Sequence, residues 1–373
     1  MLPFHKKPFV WVLAPFVETN DKNLDYYYDY TQSIEEFTRA FKELRIKWKW
    51  QNVTNKDYKS IIDKISSCSS REDIVIINLC DGDDVNNAPG VNVIRYLKKS
   101  GLCFTGADEY FYRTTTSKII MKQVFDARNV PTPPWEVVSD YEHDSKSIFK
   151  KLGHPVIVKP AISGGSLGVG IDSVVKTPKD LFRQYQKLQE GYHGWNLVDG
   201  GVFAEKFIDG PEFTTLIVGN GANARECKIY MPVERAFNNS LPNHEKFLSF
   251  DRLWEMFEDE NPLNNNEDFY NYQTPDSSLL KNICRISFDA YKAVRGKGYG
   301  RVDIRMDKYT SKMYVLEVNA QCGLSDDENF TSIGAILRLS GNSFGSLIAT
   351  IIRNALTHQH PARKQKVRQL QLI

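Results

Sequence analysis

Two separated stretches of this sequence place charged side chains where anionic oxygens and a cation could be handled together. Val156-Ile157-Val158-Lys159-Pro160 delivers a lysine into Ser163-Gly164-Gly165-Ser166-Leu167-Gly168-Val169-Gly170. Glycines let backbone N–H groups approach phosphate oxygens closely. The lysine adds a point charge on the phosphates. The order Gly-x-x-x-x-Gly-Lys-Ser/Thr is absent, so this is not a Walker loop. Taken alone, the segment reads equally well as a glycine hairpin.

Far downstream, Arg301, Asp303 and Arg305 alternate along one run, and Glu317 and Asn319 along another, with the polar turn Asp307–Lys312 between them. Residues two apart on a strand share a face. If the two strands pair, Asp303, Glu317 and Asn319 converge. Two carboxylates and an amide oxygen form a hard oxygen site, in which Mg²⁺ keeps its other positions for water and phosphates. Mn²⁺ is the alternative ion. The competing reading is an exposed hairpin with a solvated polar face. Val315, Leu316 and Val318 argue for a buried strand, and a buried carboxylate needs a partner. A third stretch, Phe203-Ala204-Glu205-Lys206-Phe207-Ile208 followed by Gly210-Pro211-Glu212-Phe213-Thr214, interrupts an apolar strand with charge. An exposed ribbon would explain it too; the combination of all three signals in this order gives it weight.

The elements that must position these residues follow from periodicity. Phe9–Leu13 and Ile74–Ile77 read as buried strands, with the polar turn Asn78–Gly82 after the second. Ser33 with Glu36 reads as a capping box opening a helix through Ile34, Phe37, Phe41 and Leu44. Val91–Lys98 reads as a helix and Cys103–Thr105 as a short strand, so residues 1 to about 105 form a small α/β unit with an open, largely parallel sheet. Thr114–Arg128 is expected as one helix, stopped by Pro131, Pro133 and Pro134. Trp135–Val138 and Val156–Val158 are expected strands, Ser147–Leu152 a helix, and Ser277–Arg295 and Ser343–Leu356 closing helices. The polar stretch from Glu234 to Ser277 reads as a long irregular segment of the functional, mobile kind. The basic tail after Pro361 is expected to fray. This partition gives units at 1–112, 113–200 and 201–373.

Composition narrows the classes. The 373 residues carry a formal net charge of +2, which makes no electrostatic case for nucleic acid. No apolar run reaches the length that crosses a bilayer, and Met1–Lys7 does not read as a signal peptide. The six cysteines (Cys68, Cys80, Cys103, Cys227, Cys284, Cys322) include no Cys-x-x-Cys pair, which favours reduced thiols in a cytoplasmic setting. The seven histidines form no ligand-spaced cluster.

From about Ile74 to Leu356 the sequence resembles the ATP-grasp superfamily, and within it the D-alanine–D-alanine ligase family. The shared segments are Asn78–Gly82, Phe104-Thr105-Gly106, Ser117-Lys118, Pro131-Thr132-Pro133, the Lys159 loop with Ser166, Glu205–Thr214 and Arg301–Gly323. The resemblance implies a three-domain α/β architecture with ATP held between the last two domains. It implies that Lys118 and Lys159 hold the ATP phosphates, that Glu205, Lys206 and Ile208 receive adenine, and that Glu212 meets the ribose hydroxyls. Lys246 matches a lysine on a mobile loop over the nucleotide. Asp303, Glu317 and Asn319 match magnesium ligands, and Arg301 with the backbone at Gly323 matches oxyanion-stabilising groups. The implied activity is ATP-dependent activation of a carboxylate as an acylphosphate, then condensation with an amine. The expected partners are small-molecule carboxylate and amine substrates, with a homodimer as the expected assembly.

The sequence departs from the family where the two substrates bind. The first strand runs into Ala14-Pro15-Phe16-Val17-Glu18, and Glu18 is the candidate for gripping the first substrate's amine. The family's His-Gly turn is Asp81-Gly82 here, its serine is Gly165, and its loop tyrosine is Phe247. After Gly323 the chain is longer and acidic, Leu324-Ser325-Asp326-Asp327-Glu328-Asn329-Phe330-Thr331-Ser332. Such carboxylates attract a cationic acceptor, so Asp326 and Asp327 are candidates for binding a basic amino acid, an amine or a polyamine. The alternative is a solvated turn, with Ser332 taking an acceptor carboxylate. Other expectations are an aromatic surface cluster at Tyr26, Tyr27, Tyr28 and Tyr30, a Cys322 that serves as a small neutral side chain, and a solvent-exposed His244. Two rival functions stay open at this point: a catalytically silent nucleotide-binding module, and a ligase with a hydroxyl acceptor.

Overall fold

The computed structural model describes residues 7–18, 28–67, 74–139, 141–192, 194–253 and 268–359. Strand β1 (Phe9–Pro15), helix α1 (Thr31–Leu44), β2 (Trp48–Val53), α2 (Tyr58–Ser67), β3 (Ile74–Asn78), α3 (Val91–Ser100) and β4 (Cys103–Phe104) follow one another as the periodicity predicts. All pairings are parallel, in the order β2-β1-β3-β4. Every residue of β3 is buried, as a strand covered on both faces requires. The capping box at Ser33 and Glu36 does not form. Asp29 accepts from the Thr31 backbone N–H (2.9 Å) and hydroxyl (2.6 Å), which starts the helix earlier. Ser33 is therefore inside α1, and Glu36 is buried and accepts from the Ser325 hydroxyl at 2.7 Å.

The single helix expected over Thr114–Arg128 is two, α4 (Glu109–Thr116) and α5 (Lys118–Ala127). Asp108 caps the first through the Phe111 N–H. Ser117 is extended and its hydroxyl accepts from the Ile120 N–H, opening the second. Lys118 thus becomes the first residue of α5, and its backbone N–H donates to the Ala161 carbonyl at 2.8 Å.

The middle of the chain builds β5 (Trp135–Val137), α6 (Tyr141–Leu152), β6 (Val156–Pro160), β7 (Val174–Val175), α7 (Pro178–Glu190) and β8 (Val202–Lys206). Its sheet is antiparallel in the order β5-β8-β6-β7, with a core of its own that includes Ile148, Leu152, Val158, Leu181 and Leu188.

The remaining chain forms β9 (Glu212–Val218), β10 (Lys228–Ile229), β11 (Val233–Phe237), β12 (Tyr270–Gln273), α8 (Ser277–Ala293), β13 (Tyr299–Met306), β14 (Met313–Ala320), α9 (Ser332–Leu339) and α10 (Phe344–Gln359). The sheet order is β12-β11-β9-β13-β14, with β10 also on β9. The stretch read as irregular from Glu234 onward contains β11 and β12, paired from Glu234↔Gln273 to Phe237↔Tyr270. In β12, an edge strand, only Tyr272 is buried, so its apolar periodicity is too sparse to read. Residues 254–267 of that stretch lie outside the described residues, as do the tail after Pro361, Tyr26, Tyr27 and Cys68.

The first and third sheets share their cores. Ile76, Leu97 and Phe111 pack in one cluster with Phe213, Ile286 and Val302. Val10, Phe37 and Phe41 pack in another with Leu216, Ile348 and Ile352. Gln321 stitches the same two sheets together with a buried amide. It donates to the carbonyls of Asn78 (3.3 Å) and Cys80 (2.9 Å) and accepts from the Asn78 amide (3.3 Å) and the Ala107 N–H (3.2 Å). No single helix among the described residues is long and apolar enough to cross a membrane.

Candidate active site

The hairpin β13–β14 pairs Asp303 with Glu317 and Arg301 with Asn319. The predicted convergence is present. The Asn319 amide donates to Asp303 at 3.0 Å and to Glu317 at 3.2 Å. Asp303 also accepts from the Thr214 hydroxyl at 2.9 Å and from Arg301 Nε (3.1 Å) and Nη2 (2.9 Å). At 7% exposure Asp303 is no part of a solvated face. Burial works against the Glu317 charge, but Lys118, Arg301, Lys159 and the Asn319 amide outweigh it and bring its carboxyl down to about 2. Asp303 moves the other way: burial raises it, with Glu317 adding to the rise and Arg301 opposing it. Asp303 and Glu317 offer carboxylate oxygens from facing strand positions, one of them held ionised, which fits a hard divalent cation, while the Asn319 amide turns its nitrogen to both. Among the described residues no group of three His, Cys, Asp or Glu side chains is placed to hold a metal. A cation here would therefore depend on phosphate and water for the rest of its shell.

Opposite the hairpin stand the lysines. Lys118 lies 3.5 Å from Glu317 and donates to the Ser163 carbonyl at 2.8 Å. Lys159, at the end of β6, pairs with Glu205 at 2.7 Å. Sequence reasoning missed a third lysine. Lys122, four residues after Lys118 on α5, is 1% exposed and pairs with Glu205 at 2.5 Å. The signal was available: within Ile119-Ile120-Met121-Lys122, positions 118 and 122 fall on one helical face. The Glu205 side chain is thus committed to two ammonium groups. Burial alone would raise its carboxyl, but Lys122 and Lys159 hold it below the ordinary range. Of the other residues expected to receive adenine, Lys206 is exposed and Ile208 is buried.

A second buried ion cluster surrounds Glu212. Its carboxylate is hydrogen-bonded by Arg235 and lies 3.8 Å from Arg305. Arg235 also donates to the Tyr272 hydroxyl at 2.9 Å. Glu212 is therefore not a free carboxylate at the cleft wall, and sequence reasoning assigned Arg235 no part. Arg305 additionally donates to the Lys246 carbonyl and lies over the Phe207 ring at 4.9 Å. Ser166, in the left-handed region at φ 62°, donates through its hydroxyl to the Leu248 carbonyl at 2.9 Å. Phe247 is buried against Phe207. The Lys159 loop and the Lys246 segment are thus already docked together, with Lys246 half-buried.

The substrate-side candidates are arranged differently. Glu18 is exposed and pairs with Lys56 at 2.6 Å. Asp326 pairs with Arg39 of α1 at 3.0 Å. Asp327 accepts from Gln32 (3.2 Å) and from the N–H groups of Asn329 and Phe330 (3.1 Å each). Glu328 lies 3.7 Å from Arg338. All three acidic residues after Ser325 therefore have partners within the chain. Thr331 caps α9 through the Gly334 N–H, and Ser332 is buried. Asp81 is reached by solvent, yet burial, with Asp83 adding, pushes its carboxyl up to about 6. Gly323 borders open space: a Cβ there would meet no atom within 4 Å. Burial pushes the Cys322 thiol up to about 12, so it is no nucleophile. Tyr28 is buried beside Phe16 rather than on the surface.

The signature of the family described as "D-ala D-ala ligase C-terminus" covers residues 124–353. The chain is 27% identical over 268 residues to the D-alanine--D-alanine ligase of Bordetella petrii, covering 72% of each chain, and 25% identical over 273 residues to that of Polaromonas sp., covering 70% of each. Its fold resembles the D-alanine--D-alanine ligase from Bacillus anthracis complexed with ATP (TM-score 0.65, 18% identity, covering 94% of this chain and 98% of that one). It also resembles the VanG D-Ala:D-Ser ligase from Enterococcus faecalis (TM-score 0.64, 14% identity, covering 94% and 100%). The family signature and the curated relatives show an ATP-grasp enzyme, an ATP-dependent carboxylate–amine ligase, and the fold accords with it. Within that class the chain belongs to the D-ala D-ala ligase family that the signature describes.

Proposed function

We propose that this chain condenses two amino acids into a dipeptide, with ATP consumed to activate the first carboxylate. The observation that carries the reading is the cluster of opposite charges in which Lys118 lies 3.5 Å from Glu317, Arg301 pairs with Asp303 at 2.9 Å, and Lys159 acts with Lys118 and Arg301 to hold Glu317 ionised. A free carboxylate resists attack by an amine because oxide would have to leave. One of its oxygens takes the γ-phosphoryl group while the bond to ADP breaks. The amine of the second substrate then attacks the acyl carbon, phosphate departs with the bonding pair, and the nitrogen loses a proton. Lys118 and Lys159 hold phosphate oxygens, and Arg301 with the Gly323 N–H steadies the oxyanion as charge develops. Mg²⁺ supplies charge neutralisation on the phosphates, and Asp303, Glu317 and Asn319 would hold it. Adenine meets the Glu205–Ile208 strand end, and the ribose hydroxyls lie on the Glu212 side, where Arg235 already holds the carboxylate. Docking of the Lys246 segment on the Lys159 loop keeps water from the acylphosphate. Three sheets support a three-unit reading, but β8 pairs with β5 and β6, which carries the middle unit to Lys206 rather than 200, and residue 112 lies inside α4.

The neutralised acidic segment favours an acceptor with a free carboxylate over a cationic amine. D-Alanine is the first substrate to supply, because the relatives are named for it. Incubation with Mg-ATP and a pool of amino acids and amines, read by mass spectrometry beside D303A, tests the reading. A condensation mass that needs ATP and vanishes in D303A is the expected result. ATP binding without turnover on any substrate would favour a silent module, and an ester mass would favour a hydroxyl acceptor.

A further inference from the structure

The mechanism above does not use Lys122. It is 1% exposed, and its surroundings are specific. Its ammonium meets Glu205 at 2.5 Å and donates to the Thr132 hydroxyl at 2.8 Å. Thr132 in turn donates to the Val315 carbonyl at 3.0 Å, on the strand that carries Glu317 and Asn319. On its other oxygen Glu205 holds Lys159, which at 18% is the most exposed of the three. A continuous chain of contacts therefore runs from β14 through Thr132, Lys122 and Glu205 to Lys159.

Charge counting shows what the buried lysine does. Glu205 alone would neutralise Lys159 and hold its ammonium back from a phosphate. With Lys122 present, one positive charge of the three-residue cluster is left over, and it sits on the most exposed member. We propose that Lys122 is a positioning residue that neutralises Glu205, so that Lys159 presents a full positive charge to the ATP phosphates. The inference rests on the nucleotide reading above and deepens it. Removing Lys122 should weaken nucleotide binding through Lys159 without touching the nucleotide. Removing Glu205 as well should give part of that affinity back, because Lys159 is then released. A packing role predicts no such recovery.

The test is a double-mutant cycle on the full chain, with Mg-ATP affinity by calorimetry and fold by thermal unfolding. Methionine has nearly the length of lysine and suits an apolar site, so K122M is the first variant. The expected Kd for Mg-ATP rises about tenfold in K122M, the loss of roughly one charge-assisted contact. In K122M/E205Q it should fall back toward the wild-type value by about threefold or more. Should K122M not fold, T132V reads the same link, with an expected rise in Kd of about threefold. Unchanged affinity in the folded variant, or a double variant no better than K122M, overturns the role of Lys122 and leaves the nucleotide site standing. A wild-type chain that does not bind Mg-ATP overturns the nucleotide reading itself, and the role of Lys122 with it.

Discussion

The two halves of the cleft spend their charges in opposite ways. On the nucleotide half, Lys118 stands beside Glu317, Arg301 pairs with Asp303, Lys159 pairs with Glu205, and Glu317 is held ionised. On the substrate half, Glu18 pairs with Lys56, Asp326 with Arg39 and Asp327 with its own loop, while the Asp81 carboxyl is pushed up to about 6. The first arrangement is a prepared field for a polyanion. The second uses carboxylates to fasten a loop to α1. A residue type at the expected place in a sequence therefore says what it can bind only after its partners within the chain are known.

Breaking the field should cost far more than breaking the fastenings. D303A should lower ADP formation by about 10³-fold or more, since it leaves Arg301 unpaired and removes a cation ligand; steady-state coupled assays read this. K159M should raise the KM for ATP by roughly 10- to 100-fold with a smaller loss in kcat. A loss confined to kcat would move Lys159 away from nucleotide binding.

Glu317 and Asp81, one from each half, should titrate with opposite sign. The Glu317 carboxyl is lowered from 4.5 to about 2. Its contribution to stability is full above the unfolded value and is lost as pH falls through the folded one. The Asp81 carboxyl is raised from 3.8 to about 6. Its contribution is full below 3.8 and is lost as pH rises through about 6. Melting temperatures across pH 2–7 should therefore lose the acid-side fall in E317Q and the fall approaching pH 6 in D81N. Identical profiles for both variants would erase the distinction between the halves. The smallest effect belongs to D326N: acceptor preference should change by less than about twofold, because only a partly exposed surface pair with Arg39 is lost. A sharp loss of cationic acceptors in an acceptor panel would restore Asp326 to the binding site.

The hairpin was legible because its polar residues recur every second position between Val302, Ile304, Val315 and Val318; Arg301 opposite Asn319 and Asp303 opposite Glu317 keep that spacing, while a bulge after Asp303 shifts the register, which the period did not show. The parallel sheet was legible for a similar reason, since β1 and β3 are short apolar runs separated by helical periodicity. Lys122 was readable only as the neighbour of Lys118 on one helical face; its counterion was not, because Glu205 lies 83 positions away. Nor was the break at Ser117, where no glycine or proline marks it and Thr114-Thr115-Thr116-Ser117 offers several equivalent caps. Charge in the segment after Gly323 was visible, but its partners Gln32 and Arg39 sit on a distant helix. Their pairing depends on how the first sheet docks on the third.

That docking has a consequence for synthesis. Phe37 and Phe41 of α1 are buried partly by α10, with the rings of Phe37 and Phe344 5.4 Å apart. Roughly 300 residues separate the two helices, which at about 5–20 residues per second is on the order of 15–60 s on the ribosome. Throughout that interval the first sheet has its strands but not its cover. The aromatic face of α1 is therefore the surface a chaperone would meet on the nascent chain, and slowing translation before residue 344 should lengthen that exposure.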